Sequence, residues 1–219
     1  MSRAKTNKAR MNYLQTQLEN LASVDIKNQA PELGLALDGQ GRAVAPFFGR
    51  ELLVDNNGVT AADGHPVPID AQSVVAHYIA SSGRAALTGD FLPIGRLTGI
   101  GVTSGSPSES LTKPLTDLFG PRYDLFAQAA PKVGGVHRGL SQAGAQAWDF
   151  GLPKLPVRVE YFEADEEFDA EIKLLFDSSA NQYVSYECLE LLTMCAVVDL
   201  LMAAGLITDP DDCQNSFLS

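Results

Sequence analysis

The chain has 219 residues, of which 45% are hydrophobic and 20% charged, a balance that excludes a disordered polypeptide and supplies enough apolar material for one core. Its formal net charge is −11, which argues against nucleic acid or an anionic membrane surface as a partner, because both are held by clustered Lys and Arg. Three cysteines, Cys188, Cys195 and Cys213, with no CxxC pair, point to a reducing, cytoplasmic setting and write neither a zinc ribbon nor an iron–sulfur ligand set.

The chain opens on MSRAKTNKAR, basic but with no apolar stretch behind it, so no secretory signal is expected. Residues 1–7 and 208–219 read as flexible tails of a single domain. From Lys8 to Ser23 an amphipathic helix is predicted, with Met11, Leu14, Leu18 and Leu21 on one stripe. The turn clusters DGQG and DNNG then separate short apolar runs, which predicts an antiparallel meander over 33–61. The next helix takes Asp70 as its N-cap and Gly83 as its stop. Ala71, Val74, Val75, Tyr78 and Ile79 recur at core-facing spacing. His77 falls off that stripe and faces either solvent or a neighbouring site.

From Arg84 to Ser110 the chain is rich in Gly, Ser and Thr and reads as a long loop, a frequent binding element. Two short helices follow, bounded by Pro114, Gly120, Pro131 and Gly134. GGVHRGLSQAGAQ reads as a second polar loop. In LPVRVEYFEADEEFDAEIKLLFD two alternating runs flank ADEE, which predicts an acidic hairpin. A last, apolar helix runs from Ser185, its N-cap, to about Ala204. Glu190 and Asp199 interrupt its apolar run, so it reads as a buried helix and not a membrane span. Cys188 and Cys195 lie two turns apart, roughly 10 Å, too far for a disulfide; they read as core thiols and Cys213 as an exposed one. The fold class is α+β: one antiparallel sheet, built from the early meander and the acidic hairpin, packed by helices.

Chemistry-bearing residues form three groups. The acidic hairpin, with Asp165, Glu166 and Asp177 as its leading members, offers oxygens to a divalent cation or carboxylates for acid–base work; a solvated edge that discourages strand pairing is the plainer reading. His137 and Arg138 sit in a glycine-rich segment suited to an anion. His77 and Arg96 flank the Gly-rich stretch from Thr88 to Gly105, which is expected to wall any cleft, with Arg96 as an always-charged donor. His65 belongs to an exposed turn, and Asp199 is expected to pair with Arg96 or Arg158. GIGVTSG, at 99–105, lacks the spacing of a dinucleotide fingerprint, and the chain has no GKS, GKT or GxSxG. No cofactor or metal is legible.

HYI, LTGDFLPIGRL, PLTDLFG, FAQAAPKVGG and LPKLPVRVEYFEADEEFDAEIKLLFDSSANQYV together resemble an uncharacterised domain-of-unknown-function family found largely in anaerobic bacteria and archaea. The likeness runs from about Lys8 to Gly205 and is most specific from Pro156 to Ala180. It implies a stand-alone cytoplasmic protein of unestablished role, with a link to anaerobic one-carbon or corrinoid metabolism. Some members are fused to a cysteine-rich iron–sulfur module like that of corrinoid proteins; this chain has no such cysteines, so cluster binding does not carry over. Two functions stay open: a non-catalytic protein that binds a small anionic ligand or a protein partner, and a small enzyme, metal-dependent or not, using carboxylates with His77 or His137.

Overall fold

The computed structural model describes residues 3–97 and 107–210. Helix α1 (Arg3–Leu21) leads into α2 (Ile26–Glu32), whose first turn is capped by the Asp25 carboxylate accepting from the Asn28 N–H. The meander then forms as expected: β1 (Ala36–Leu37), β2 (Ala43–Phe47), β3 (Arg50–Asp55) and β4 (Gly58–Ala61), paired in chain order. Helix α3 (Ile69–Ala80) follows, then β5 (Phe91–Leu92), the short α4 (Ile94–Leu97), α5 (Pro107–Phe119) and α6 (Tyr123–Ala129). The chain closes with β6 (Val136–Leu140), β7 (Gln146–Leu152), β8 (Leu155–Phe162), β9 (Glu171–Asp177) and α7 (Tyr186–Ala203).

The α+β class holds, but the strands form two antiparallel sheets, not one. The meander stands alone, and the second sheet runs β5-β9-β8-β7-β6. The β8–β9 hairpin recruits its partners from segments that read as loops. GGVHRGLSQAGAQ is β6, a turn and the start of β7, and the Arg84–Ser110 stretch supplies β5 and α4. The signal was hidden because four of the five β6 residues are exposed, so no apolar alternation marks it. Its pairing also slips between His137 and Gly139, a bulge where Gly139 has φ +83°. The alternation of Val157, Val159 and Tyr161 is confirmed by burial, and Ile172, Leu174 and Phe176 face the same core. Phe168 lies in the β8–β9 loop and is exposed.

Helix α7 is the hub of the core. Cys188, Leu189, Leu192, Ala196, Val197, Leu200 and Leu201 are all buried along it, each worth roughly 1–3 kcal/mol by removal from water. Against it pack α3 and α5. The α3 stripe Ala71, Val74, Val75, Tyr78 and Ile79 is fully buried, as its spacing predicts. On α1 the buried seam is Leu14, Gln17 and Leu21, whereas Met11 is exposed. Among the described residues no helix is long and apolar enough to cross a membrane.

Three local expectations change. Helix α3 starts at Ile69 behind Pro68, with no side-chain cap; Asp70 is instead buried and paired with Arg10, whose Nε lies 2.8 Å from Oδ1. The helix stops at Ala80 because Ser81 turns extended, at φ −67° and ψ 148°, two residues ahead of Gly83. Gly83 serves a close approach: a Cβ there would meet the Gln182 carbonyl oxygen at 2.6 Å. Asp199 pairs with Arg50, at 2.8 and 2.9 Å, and not with Arg96 or Arg158. Arg158 is taken by Asp149 at 2.7 and 3.0 Å and lies over the Phe91 ring.

Candidate functional site

Where α3 ends, Ser81 to Ala85 form a strap between two elements. On one side the Gln29 side-chain amide donates to the Ser81 carbonyl at 2.6 Å, and Arg84 donates to Gln29 Oε1 at 2.6 Å. On the other, the Tyr183 hydroxyl donates to the Ala85 carbonyl. Pinned from both sides, the strap leaves a groove along each flank. One, of about 580 Å³, is lined by Gln17, Asn20, His77, Ser81, Asn181 and Ser185 among others. The second, of about 640 Å³, holds Asp25, Gln29, Glu32 and Arg84. Ser81 and Ser82 line both.

Among the described residues the first groove has no carboxylate in its lining, in a chain where acids outnumber Lys and Arg by 27 to 16. Amides, hydroxyls and one imidazole supply its polar groups. The Ser81 hydroxyl is buried and has no hydrogen-bond partner among the described residues.

His77 leaves the α3 core stripe and meets α1 and the start of α7. Its Nδ1 lies 2.7 Å from the Tyr13 hydroxyl, which also lies 3.3 Å from Ser185 Oγ. Ser185 Oγ in turn donates to Glu187 Oε2 at 3.2 Å and accepts from the Cys188 N–H, as the N-cap of α7. Burial pulls the His77 pKa below its usual value, with Glu187 opposing. Burial also raises the Tyr13 phenol, helped by Cys188 and Glu187, so it keeps its proton and can donate. The bond can run either way; with the Tyr13 O–H as donor, the neutral ring carries its proton on Nε2, which has no partner among the described residues. Burial pushes the Cys188 thiol up to about 12, so it is an inert core group.

The other sequence candidates lie apart from this cluster. Arg96 is exposed on α4; its neighbour Leu97 gives its carbonyl to the Asn181 side chain at 3.0 Å, which brings the end of α4 to the groove's rim. Residues 88–97 do not line the groove, and the rest of the expected wall, 98–105, lies outside the described residues, as does Cys213. His137 and Arg138 sit on edge strand β6. His137 bonds Gln146 at 3.1 Å and stacks on Trp148, and Arg138 pairs with Asp149 at 2.9 Å. Their backbone is a strand ladder, not a loose nest. Asp165 and Glu166 are exposed in the β8–β9 loop, where Asp165 accepts from the Glu167 and Phe168 N–H groups at 2.8 Å. Asp177 is buried elsewhere, at the end of β9. It accepts from the backbone of Thr88, Gly89 and Ser179 and from the Ser179 hydroxyl at 2.6 Å, which makes it the anchor of the segment leading to β5. Among the described residues no group of three or more His, Cys, Asp or Glu is placed to hold a metal ion.

Tyr13, Gln17 and Ser81 are not marked by the sequence, and Ser185 is marked only as the N-cap of α7. Each is a common residue with no motif around it, and they meet only because α1 packs along α3. The one sequence signal was that His77 leaves its stripe while the buried Gln17 sits inside one. No curated protein and no solved structure matches the chain. A family model matches residues 25–198, which leaves α1, with its share of the groove, ahead of the matched segment. By that match the chain belongs to the family described as a domain of unknown function, DUF3786.

Proposed function

We propose that this protein is a non-catalytic binder of small anionic ligands, received in the groove beside His77. The observation that carries the reading is the groove's lining: neutral amides, hydroxyls and an imidazole with no carboxylate, on a molecule of net charge −11. An anion would be repelled almost anywhere else on such a surface, and this recess offers donors without a competing acid. The rival enzyme reading asks for carboxylates beside a histidine; Glu187 reaches His77 only through Ser185 and Tyr13, and Asp165 and Glu166 belong to another loop. A cytoplasmic setting and a place in anaerobic one-carbon chemistry rest on cysteine usage and on the sequence likeness alone. Native mass spectrometry of the protein as purified, beside a Ser82→Trp variant that fills the groove, tests the reading. A small added mass retained by the parent and absent from the variant is the expected result. The same added mass on both would place the ligand elsewhere and overturn it.

A further inference from the structure

We propose that binding of the ligand's anionic group draws one proton onto His77, with the Tyr13–Ser185 hydrogen-bond array rearranging behind the ring. The proposal rests on the groove reading above and adds to it a coupled protonation.

The argument begins with the two sides of the imidazole. Nδ1 faces Tyr13, and among the described residues Nε2 lacks a partner and the recess that the ring lines holds no acid. An anionic group entering there, for which a carboxylate serves as the probe, accepts from Nε2–H. At this half-buried position a neutral donor facing a full negative charge is a weaker arrangement than an imidazolium.

The array behind the ring accommodates the change. With the ring neutral, the Tyr13 O–H donates to Nδ1. With the ring cationic, Nδ1–H donates to the Tyr13 oxygen, and the Tyr13 O–H turns to Ser185 Oγ, 3.3 Å away. Ser185 keeps its own O–H on Glu187, at 3.2 Å. One proton is taken from water, every donor keeps an acceptor, and no bond to carbon changes.

The charged and titratable groups around the ring suit this. Tyr13 faces it from α1, Glu187 and Cys188 from α7, and Tyr183 lies in the preceding segment. The Arg10–Asp70 ion pair lies two turns back along the α1–α3 seam. Burial holds free His77 neutral, so the proton arrives with the ligand, as linkage requires.

The test uses the full chain with succinate as the probe and succinamide as its neutral counterpart, at constant ionic strength. Calorimetric titration at pH 8 and at pH 6 is expected to show succinate tightening as pH falls, by up to about tenfold per pH unit. The NMR titration midpoint of His77 is expected to rise when succinate is bound. His77→Gln is expected to abolish the pH dependence. Tyr13→Phe, which removes the acceptor for the new Nδ1–H, is expected to weaken binding at pH 6 more than at pH 8. Succinate binding that is independent of pH, a slope that persists in His77→Gln, or succinamide binding as tightly as succinate would each overturn this inference while leaving the groove as a binding site. Binding of neither compound would overturn the inference and count against the groove reading with it.

Discussion

Asp177 and Asp199 show at the level of single residues how environment, not sequence neighbourhood, sets a carboxylate's role. Asp177 belongs to the acidic run in sequence, yet it is buried. Burial alone would raise its pKa; the donors of Ser179, Thr88 and Gly89 outweigh that and hold it below the usual range. Asp199 goes the other way: burial exceeds the pull of Arg50 and lifts it to about 6. The stability consequences have opposite signs. The Asp177 contribution is present above the unfolded carboxylate value of about 3.9 and is lost as pH falls towards its lower folded value. The Asp199 contribution is complete below that unfolded value and is lost as pH rises through about 6. Urea midpoints across pH 3–8 therefore separate the two. Asp199→Asn is expected to gain on the parent as pH rises through that window. Asp177→Ala is expected to cost about 2–4 kcal/mol at pH 7, because it strands buried backbone donors. A pH-independent difference for Asp199→Asn would remove the linkage argument.

The elements were legible where a buried face repeats with their own period. Helix α3 and strand β8 carry such a face, and α7 is marked instead by its long apolar run behind Ser185; all three form, with the ends of α3 shifted. The acidic hairpin forms as well, because Val157, Val159 and Tyr161 alternate with polar residues. Strand β6 was illegible because it is an edge with no buried face, and β5 is two residues long, too short for any period to show. The end of α3 misled for a different reason. Gly83 looks like a helix stop, but its lack of a side chain serves tertiary contact with residues 182–183. An added Cβ at Gly83 would also meet the Tyr183 ring at 2.7 Å, so Gly83→Ala has to push the strap away from that segment. The expected cost is about 1–3 kcal/mol in urea denaturation, with weaker ligand retention, since the strap is the wall of the groove. A neutral effect on both would show that the strap does not depend on this contact.

At the scale of the whole molecule, the site is assembled from three parts of the chain that sequence order keeps far apart: α1, the end of α3 and the approach to α7. Tyr13 and Ser185 are separated by 172 positions, so no local spacing could have joined them. The candidates that local reading favoured, Arg138 on β6 and Asp165 in the β8–β9 loop, are placed by the second sheet in ordinary surface roles, an ion pair and a turn. His77 alone bridges the two views, because it is the polar group that α3 turns away from its core and towards Tyr13, which joins α1 to Ser185 at the start of α7. The claim that anions are received there is tested most directly by a backbone-amide NMR titration with succinate at fixed pH and ionic strength. The account expects the perturbed amides to cluster at Ser81, Ser82, Asn181, Gln182 and Ser185. Perturbations centred on Arg138 and Arg158, or no localised change at all, would contradict it.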